Sequence, residues 1–244
     1  MNTLDEIIHL AGAYGLVLRG GFCVNEDDNV PEIAEGVNAS SLILFGNAGS
    51  SFWECFSGSR EAADGQTDPL NRWSQRVGEI IASKLTGRAL FPFGGPPYHP
   101  FINWAKKAES LQSSRIGMLI HPQYGLWHAY RFAIALPDSL ADSLVVSAAI
   151  TRVRQPQAID HDICQRCIGQ PCLSACPVGA FSDSGYAVEA CYSFLKQNAE
   201  SSCRTETCQA RLSCPQGHAF HYQADHARFH MEAFFHSVAN RLDK

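Results

Sequence analysis

Near the start of the chain, in LDEIIHLAGAYG, apolar residues fall at Leu4, Ile7, Ile8 and Ala11. That spacing predicts one face of a helix, with Gly15 as its stop. The same period runs through DPLNRWSQRVGEIIASKLTG, where Leu70, Trp73, Val77, Ile80, Ile81 and Leu85 form a stripe. Asp68 is placed to cap that helix, Pro69 suits its first turn and Gly87 ends it. Shorter apolar runs predict strands over 16–24, 41–47, 115–120, 128–136 and 144–154, with PDSLAD as a hairpin loop between the last two. Helical spacing returns at Ala224–Leu242, where Ala227, Met231, Phe234, Phe235, Val238 and Leu242 would face inward. The mixed order predicts an α+β fold with a mainly antiparallel sheet. The polar stretch TRVRQPQAIDHDI separates a domain of residues 1–155 from one of residues 156–244.

Composition narrows the function classes. The chain has 244 residues, 45% of them hydrophobic, enough for a real core. No apolar run reaches the ~18 residues that cross a bilayer. Acids and no basic cluster mark the first residues, unlike a secretory signal, so a cytoplasmic protein away from membranes is expected. The net charge of −5, with scattered Lys and Arg, argues against a nucleic-acid partner.

Eight of the ten cysteines lie between Cys164 and Cys214. In a reducing compartment such a cluster points to metal rather than disulfides. Cys23 and Cys55 stand apart and read as small core hydrophobes. The cysteine region repeats itself. CQRCIGQPCLSACPVGAF carries Cys164, Cys167, Cys172 and Cys176-Pro177, followed by Gly179, Ala180 and Phe181. After Cys191, CRTETCQARLSCPQGHAF carries Cys203, Cys208 and Cys214-Pro215, followed by Gly217, Ala219 and Phe220. Two equivalent halves suggest two metal centres. A [4Fe–4S] cluster takes four thiolates, and in two-cluster ferredoxins the cysteine before proline serves the other cluster. On that pattern one cluster takes Cys164, Cys167, Cys172 and Cys214, and the other takes Cys191, Cys203, Cys208 and Cys176. Four residues stand where two are usual before Cys172. Two zinc sites of four thiolates, or disulfides, are the competing readings.

Other candidate chemistry is sparser. His226 and His230 share a helical face, four apart, and read as packing or solvated residues rather than a zinc pair. LFPFGGPPYHPFINW (90–104) is too rich in Gly and Pro for a helix or central strand, and its aromatic residues suit either a flat cofactor or a plug on the core. In HPQYGLWHAYRFAIALP, His121-Pro122 ends an apolar run, Gly125 allows a tight turn, and Trp127, Tyr130 and Phe132 offer flat surfaces. The histidine there is either a ligand or a satisfied strand-end residue.

The cysteine region, with Cys191-Tyr192-Ser193-Phe194-Leu195 between its halves, resembles the iron–sulfur module of the epoxyqueuosine reductase and reductive dehalogenase group. That resemblance implies a ferredoxin-like domain passing electrons through two [4Fe–4S] clusters to a cobalamin. The RDYH stretch expected before the catalytic Asp of the epoxyqueuosine reductases is absent. Separately, His121, Pro122, Gly125, Trp127 and Arg131 are similar to a stretch of the cobalamin-processing CblC family. Leu126 replaces its second glycine and His128 its phenylalanine. This similarity covers about a tenth of the chain and implies a nitroreductase-like first domain that binds a corrinoid through those five residues. Together the resemblances imply an iron–sulfur oxidoreductase, supplied by a donor such as a flavodoxin or a ferredoxin reductase and acting on a corrinoid or small-molecule substrate. The alternatives are a ferredoxin-type electron carrier with a partner-docking domain, or a reductase binding FMN or FAD.

Overall fold

The computed structural model describes residues 4–109, 111–137 and 163–242. The chain forms two compact units, Met1–Leu111 with Ala129–Ala158, and Gln112–His128 with Ile159–Lys244. Residues 112–128, placed with the N-terminal domain on sequence grounds, thus count with the cysteine-rich unit. The predicted strand over 144–154 and the 155/156 boundary lie outside the described residues. Helices and antiparallel strand pairs make up the structure.

In the first unit, helix α1 (Leu4–Gly12) buries Ile7 and Ala11, whereas Ile8, expected on the same face, is 45% exposed. A short helical face spans fewer positions than the apolar residues available, so Ile8 falls off its edge. Strands β1 (Val17–Cys23) and β2 (Ser41–Ala48) pair antiparallel. The short helices α2 (Trp53–Ser57) and α3 (Arg60–Ala63) lead to α4 (Pro69–Lys84), then β3 (Arg88–Leu90) and α5 (Phe101–Glu109). After the small ladder of β4 (Gln112–Ser113) and β5 (Leu119–Ile120), which belongs to the second unit, β6 (His128–Leu136) completes a sheet ordered β1-β2-β6-β3.

Strand β2 is buried through Asn47, and its Leu42, Leu44 and Phe45 meet Phe132, Ala133 and Ile134 of β6 in the core. On α4, Leu70, Trp73, Val77 and Ile81 are buried as the stripe required, although Asp68 makes no side-chain cap and sits at φ 51°. Gly46 is a close-approach glycine: a Cβ there would lie 1.9 Å from the Ala129 carbonyl oxygen. The expected burial of Cys23 and Cys55 does not occur, and both are exposed. Cys23 ends β1, where the burial pattern turns outward.

Two buried charges interrupt this apolar unit. A register shift between Leu18 and Gly21 breaks the alternation of β1, so Arg19, Gly20, Gly21 and Phe22 are all buried. A bulge redirects a side chain in this way. Arg19, fully buried, donates to both carboxylate oxygens of Glu109 at 3.0 and 2.7 Å and to the Asn47 carbonyl at 3.1 Å. Glu61 on α3 is held by Arg76 at 2.6 and 3.0 Å and by Arg60 at 3.0 Å.

The predicted loop 90–104 ends in α5, whose Phe101, Trp104, Ala105 and Ala108 are buried. Phe91 stacks on Phe93 and meets Phe132, and Trp104 donates to the Asp28 carbonyl at 2.7 Å, so much of its aromatic surface is core. The predicted strand 115–120 shrinks to Leu119–Ile120. Gly117, at φ 78°, makes 114–118 the turn of a hairpin, and buried Ile116 imitates strand alternation there.

The second unit continues with a helix at Pro171–Ser174, a hairpin of β7 (Phe181–Ser182) and β8 (Gly185–Tyr186), and helices at Val188–Gln197, Ser202–Thr205, Gln209–Leu212 and Ala224–Leu242. On the last, Ala227 and Val238 are buried, but so is His226, while Leu242 is 44% exposed at the helix end. No helix among the described residues is long and apolar enough to cross a membrane.

Candidate metal centre

Local structure delivers each cysteine. Gly169 at φ 74° and Gln170 at φ 39° turn the chain into the helix Pro171–Ser174, which carries Cys172. Cys176 follows that helix, and its sulfur accepts the Ala180 N–H at 3.3 Å. Cys191 rides the helix Val188–Gln197, which buries Tyr192 and Leu195. Cys203 lies in Ser202–Thr205, and Cys208 precedes Gln209–Leu212 as its N-cap residue.

The sulfurs collect in two groups. A cavity of about 430 Å³ is walled by Cys164, Cys167, Cys172 and Cys214. A second, of about 470 Å³, is walled by Cys176, Cys191, Cys203 and Cys208. Each takes three cysteines from one half of the repeat and the Cys-Pro cysteine of the other. Ile116 lines both cavities.

The electrostatics follow the same grouping. Burial, reinforced by charge on Cys214, Cys164 and Cys167, pushes the Cys172 thiol up. Burial also pushes Cys214 up, with Cys164 and Cys167 adding to it. In the other cavity burial raises Cys191, Cys203 and Cys208, and their neighbours there raise them further. A cation at the centre of such a set reverses this preference and favours thiolates. Among the described residues, no three His, Cys, Asp or Glu side chains are grouped to hold a single metal ion. A zinc ion would draw four sulfurs to about 2.3 Å from one point. Four sulfurs spread around a cavity of several hundred Å³ suit the larger iron–sulfide core.

Tyr186 of β8 went unnoticed in the sequence. Burial raises the pKa of its hydroxyl, and the neighbouring Cys191 raises it further. Its ring stacks on Phe181 at 4.7 Å. No spacing rule marks a tyrosine five residues before a cysteine.

The stretch His121–Arg131 is divided between the units, since His121, Pro122, Gly125 and Trp127 lie in the second and Arg131 in the first. His121 Nδ1 accepts the N–H groups of Gln123 and Tyr124 at 3.0 and 3.1 Å, and its ring stacks on Tyr124. A neutral imidazole accepting at Nδ1 carries its proton on Nε2 and is a donor there. Gly125, at φ 58°, lies so close to the second Cys-Pro loop that a Cβ would meet the Gln216 carbonyl oxygen at 1.9 Å. Pro122 receives the Gln216 side-chain amide on its carbonyl. Trp127 is buried beside His221 and Tyr222, with the Arg211 guanidinium 4.4 Å from its ring centre. Trp127 Nε1, Arg211 Nε and His221 Nε2 are buried with no hydrogen-bond partner among the described residues. Neither cysteine cavity is lined by His121 or Trp127. Arg131 lies over Phe52 at 5.9 Å. His226 and His230 bring their Nε2 atoms within 3.1 Å, and His226 stacks on Tyr222, as packing residues do.

Compared with known proteins, the chain matches no protein-family model and no curated protein.

Proposed function

We propose that this protein is an iron–sulfur oxidoreductase whose second unit holds two [4Fe–4S] clusters. Cys164, Cys167, Cys172 and Cys214 hold one, and Cys176, Cys191, Cys203 and Cys208 hold the other. The observation that carries this reading is the sorting of eight cysteines into two four-cysteine cavities, each completed by the Cys-Pro cysteine of the opposite half. Such clusters accept and release single electrons, and the two cavities that would hold them share Ile116 in their linings. The chain's own part is to supply thiolates, to exclude water with Ile116, Leu126 and Phe234, and to orient Cys176 through the Ala180 N–H.

The electron acceptor we propose is a corrinoid, as the resemblance of His121–Arg131 implies, with the nitroreductase-like arrangement for the first domain. The fit is partial. Three buried nitrogens without partners, on Trp127, Arg211 and His221, suit the amide oxygens such a molecule carries. Neither cysteine cavity reaches His121. A ferredoxin-type carrier is the second reading. It is favoured by the use of Gly125 and Trp127 as packing against Gln216 and Tyr222.

Protein purified without oxygen should carry about eight iron and eight sulfide per chain. Cys214→Ala should abolish the paramagnetic signal of the cluster held by Cys164, Cys167 and Cys172 and spare the other. Stoichiometric zinc without sulfide would overturn the reading. Saturable spectral change on titration with cobalamin separates the corrinoid from the carrier reading.

A further inference from the structure

The two four-cysteine cavities meet the surface through different side chains. Among the described residues, the exposed lining of the second is Gly117, Pro177, Val178 and Tyr186, none of them charged. The exposed lining of the first is Arg115, Arg166, Ile168 and Pro215. Arg115 comes from the turn of the β4–β5 hairpin, and Arg166 and Ile168 from the loop that carries Cys164 and Cys167. Two separate segments thus bring cations to one mouth. Ile168, directly after Cys167, is 96% exposed. No Asp or Glu among the described residues lines this cavity. Asp183, fully exposed, faces Arg115 at 3.9 Å.

A single exposed isoleucine is ordinary on a surface. One set beside two arginines at the mouth of a cysteine cavity has the make-up of a small contact patch, an apolar centre with a charged rim. The sign of the rim selects the partner. The chain as a whole carries −5, so at long range it repels an acidic protein. Four thiolates add negative charge inside the cavity. Cations at its mouth offset that repulsion at one place and fix the direction of approach, which is the main contribution of charge to transient pairs. A basic partner would gain nothing from them.

We propose that the face formed by Arg115, Arg166 and Ile168 docks an acidic one-electron carrier protein, and that the set of Cys164, Cys167, Cys172 and Cys214 is where electrons enter. The proposal rests on the two-cluster reading above. The transfer is of one electron, lost by the carrier and gained at that set, with no bond made or broken and no proton moved. A small patch suits a partner that must leave after each electron, and such encounters bury less than about 1,200 Å². Asp183 restrains the contact, because it competes with the partner's carboxylates for Arg115.

The test is binding rather than turnover, with oxidised flavodoxin as the acidic carrier and anaerobic protein as its partner. Anisotropy of dye-labelled flavodoxin reads the affinity. Arg115→Glu combined with Arg166→Glu should weaken binding about tenfold or more at low salt, and the difference should vanish at about 1 M salt, where the Debye length is about 3 Å. Ile168→Ser should weaken it by the same factor at both salts, because apolar contact is not screened. Asp183→Asn should tighten it about twofold. Arg228→Glu, on the last helix and in neither cavity lining, changes the net charge as much as Arg115→Glu and should leave binding unchanged. Arg115 lies outside the cysteine loop, so Arg115→Glu alone carries the test if Arg166→Glu loses iron. The proposal is overturned if flavodoxin does not bind, if Arg228→Glu weakens binding as much as Arg115→Glu, or if basic cytochrome c binds in its place. Wild-type protein lacking iron and sulfide would instead sink the two-cluster reading itself.

Discussion

The two units hold themselves together by different means. The first closes Leu42, Leu44, Phe45, Trp73, Val77 and Phe132 into one core, with a four-stranded sheet behind them. The second has small apolar groups among its described residues, such as those around Ile116, Ile120 and Leu126 and around Trp127, Tyr222 and Ala227. Between its short helices stand two cavities walled by sulfur. A core of large side chains stabilises itself at roughly 1.5–3 kcal/mol per buried residue. On the two-cluster proposal, a unit with two cysteine-lined cavities would draw part of its order from what the cysteines bind. Buried charges inside the first unit are paired within it, Arg19 with Glu109 and Glu61 with Arg76, whereas the second unit gathers eight cysteines around two cavities.

The widest separation between the units should come from removing iron. Treating anaerobic protein with a chelator and an oxidant should unfold the second unit and leave the first, since structural metal can contribute on the order of 10 kcal/mol. Hydrogen exchange would show the amides of Val188–Gln197 losing protection while those of Ser41–Ala48 keep it. Equal loss in both segments would mean that the first unit depends on the metal too.

A smaller effect tests the first unit alone. Glu109→Ala leaves Arg19 as an uncompensated buried charge and should cost about 3–5 kcal/mol in urea unfolding. Iron content should not change. The double change Arg19→Met with Glu109→Leu should recover most of that loss, because replacing both partners removes the stranded charge.

The smallest effect concerns pH. Hydrogen bonds from Arg76, opposed by burial and aided by Arg60, lower the Glu61 pKa from 4.5 to about 2. A depressed carboxyl stabilises the fold above its ordinary pKa, and the gain fades as pH falls from 4.5 towards 2. Glu61→Gln should therefore be less stable than wild type at pH 6, by about 1 kcal/mol given solvent around Arg60 and Arg76, and equal to it near pH 2. Acid titrations of both proteins would check whether the difference closes over that interval.

Much of this was legible in the residues. The stripe of α4, the strands at 41–47 and 128–136 and the last helix follow from periodicity, because burial on one face leaves that trace. The repeat of Cys-Pro segments pointed to the grouping of eight sulfurs seen around the two cavities. The misses have physical causes. Phe101 to Ala108 has helical spacing, but the preceding run of Gly and Pro concealed it. Ile116 lies in a turn and is buried by its neighbours rather than by a strand. The inward turn of Arg19 depends on a bulge, and a bulge has no pattern of its own. Tyr186 and the Gln216 contact with Gly125 are products of tertiary approach, which spacing along the chain does not encode.

The exchange of Cys-Pro cysteines between the halves also has a consequence during synthesis. Cys172 leaves the ribosome 42 residues before Cys214. At roughly 5–20 residues per second, its set waits about 2–8 s for a fourth sulfur. The set with Cys176 waits for Cys208 in turn. If the two-cluster proposal holds, neither half can mature as it emerges, and a chain truncated before Cys214 lacks a ligand that its earlier cysteines need. On that proposal the two sets become complete only at Cys208 and Cys214, so the order of the genetic text delays both centres to nearly the same late point of synthesis.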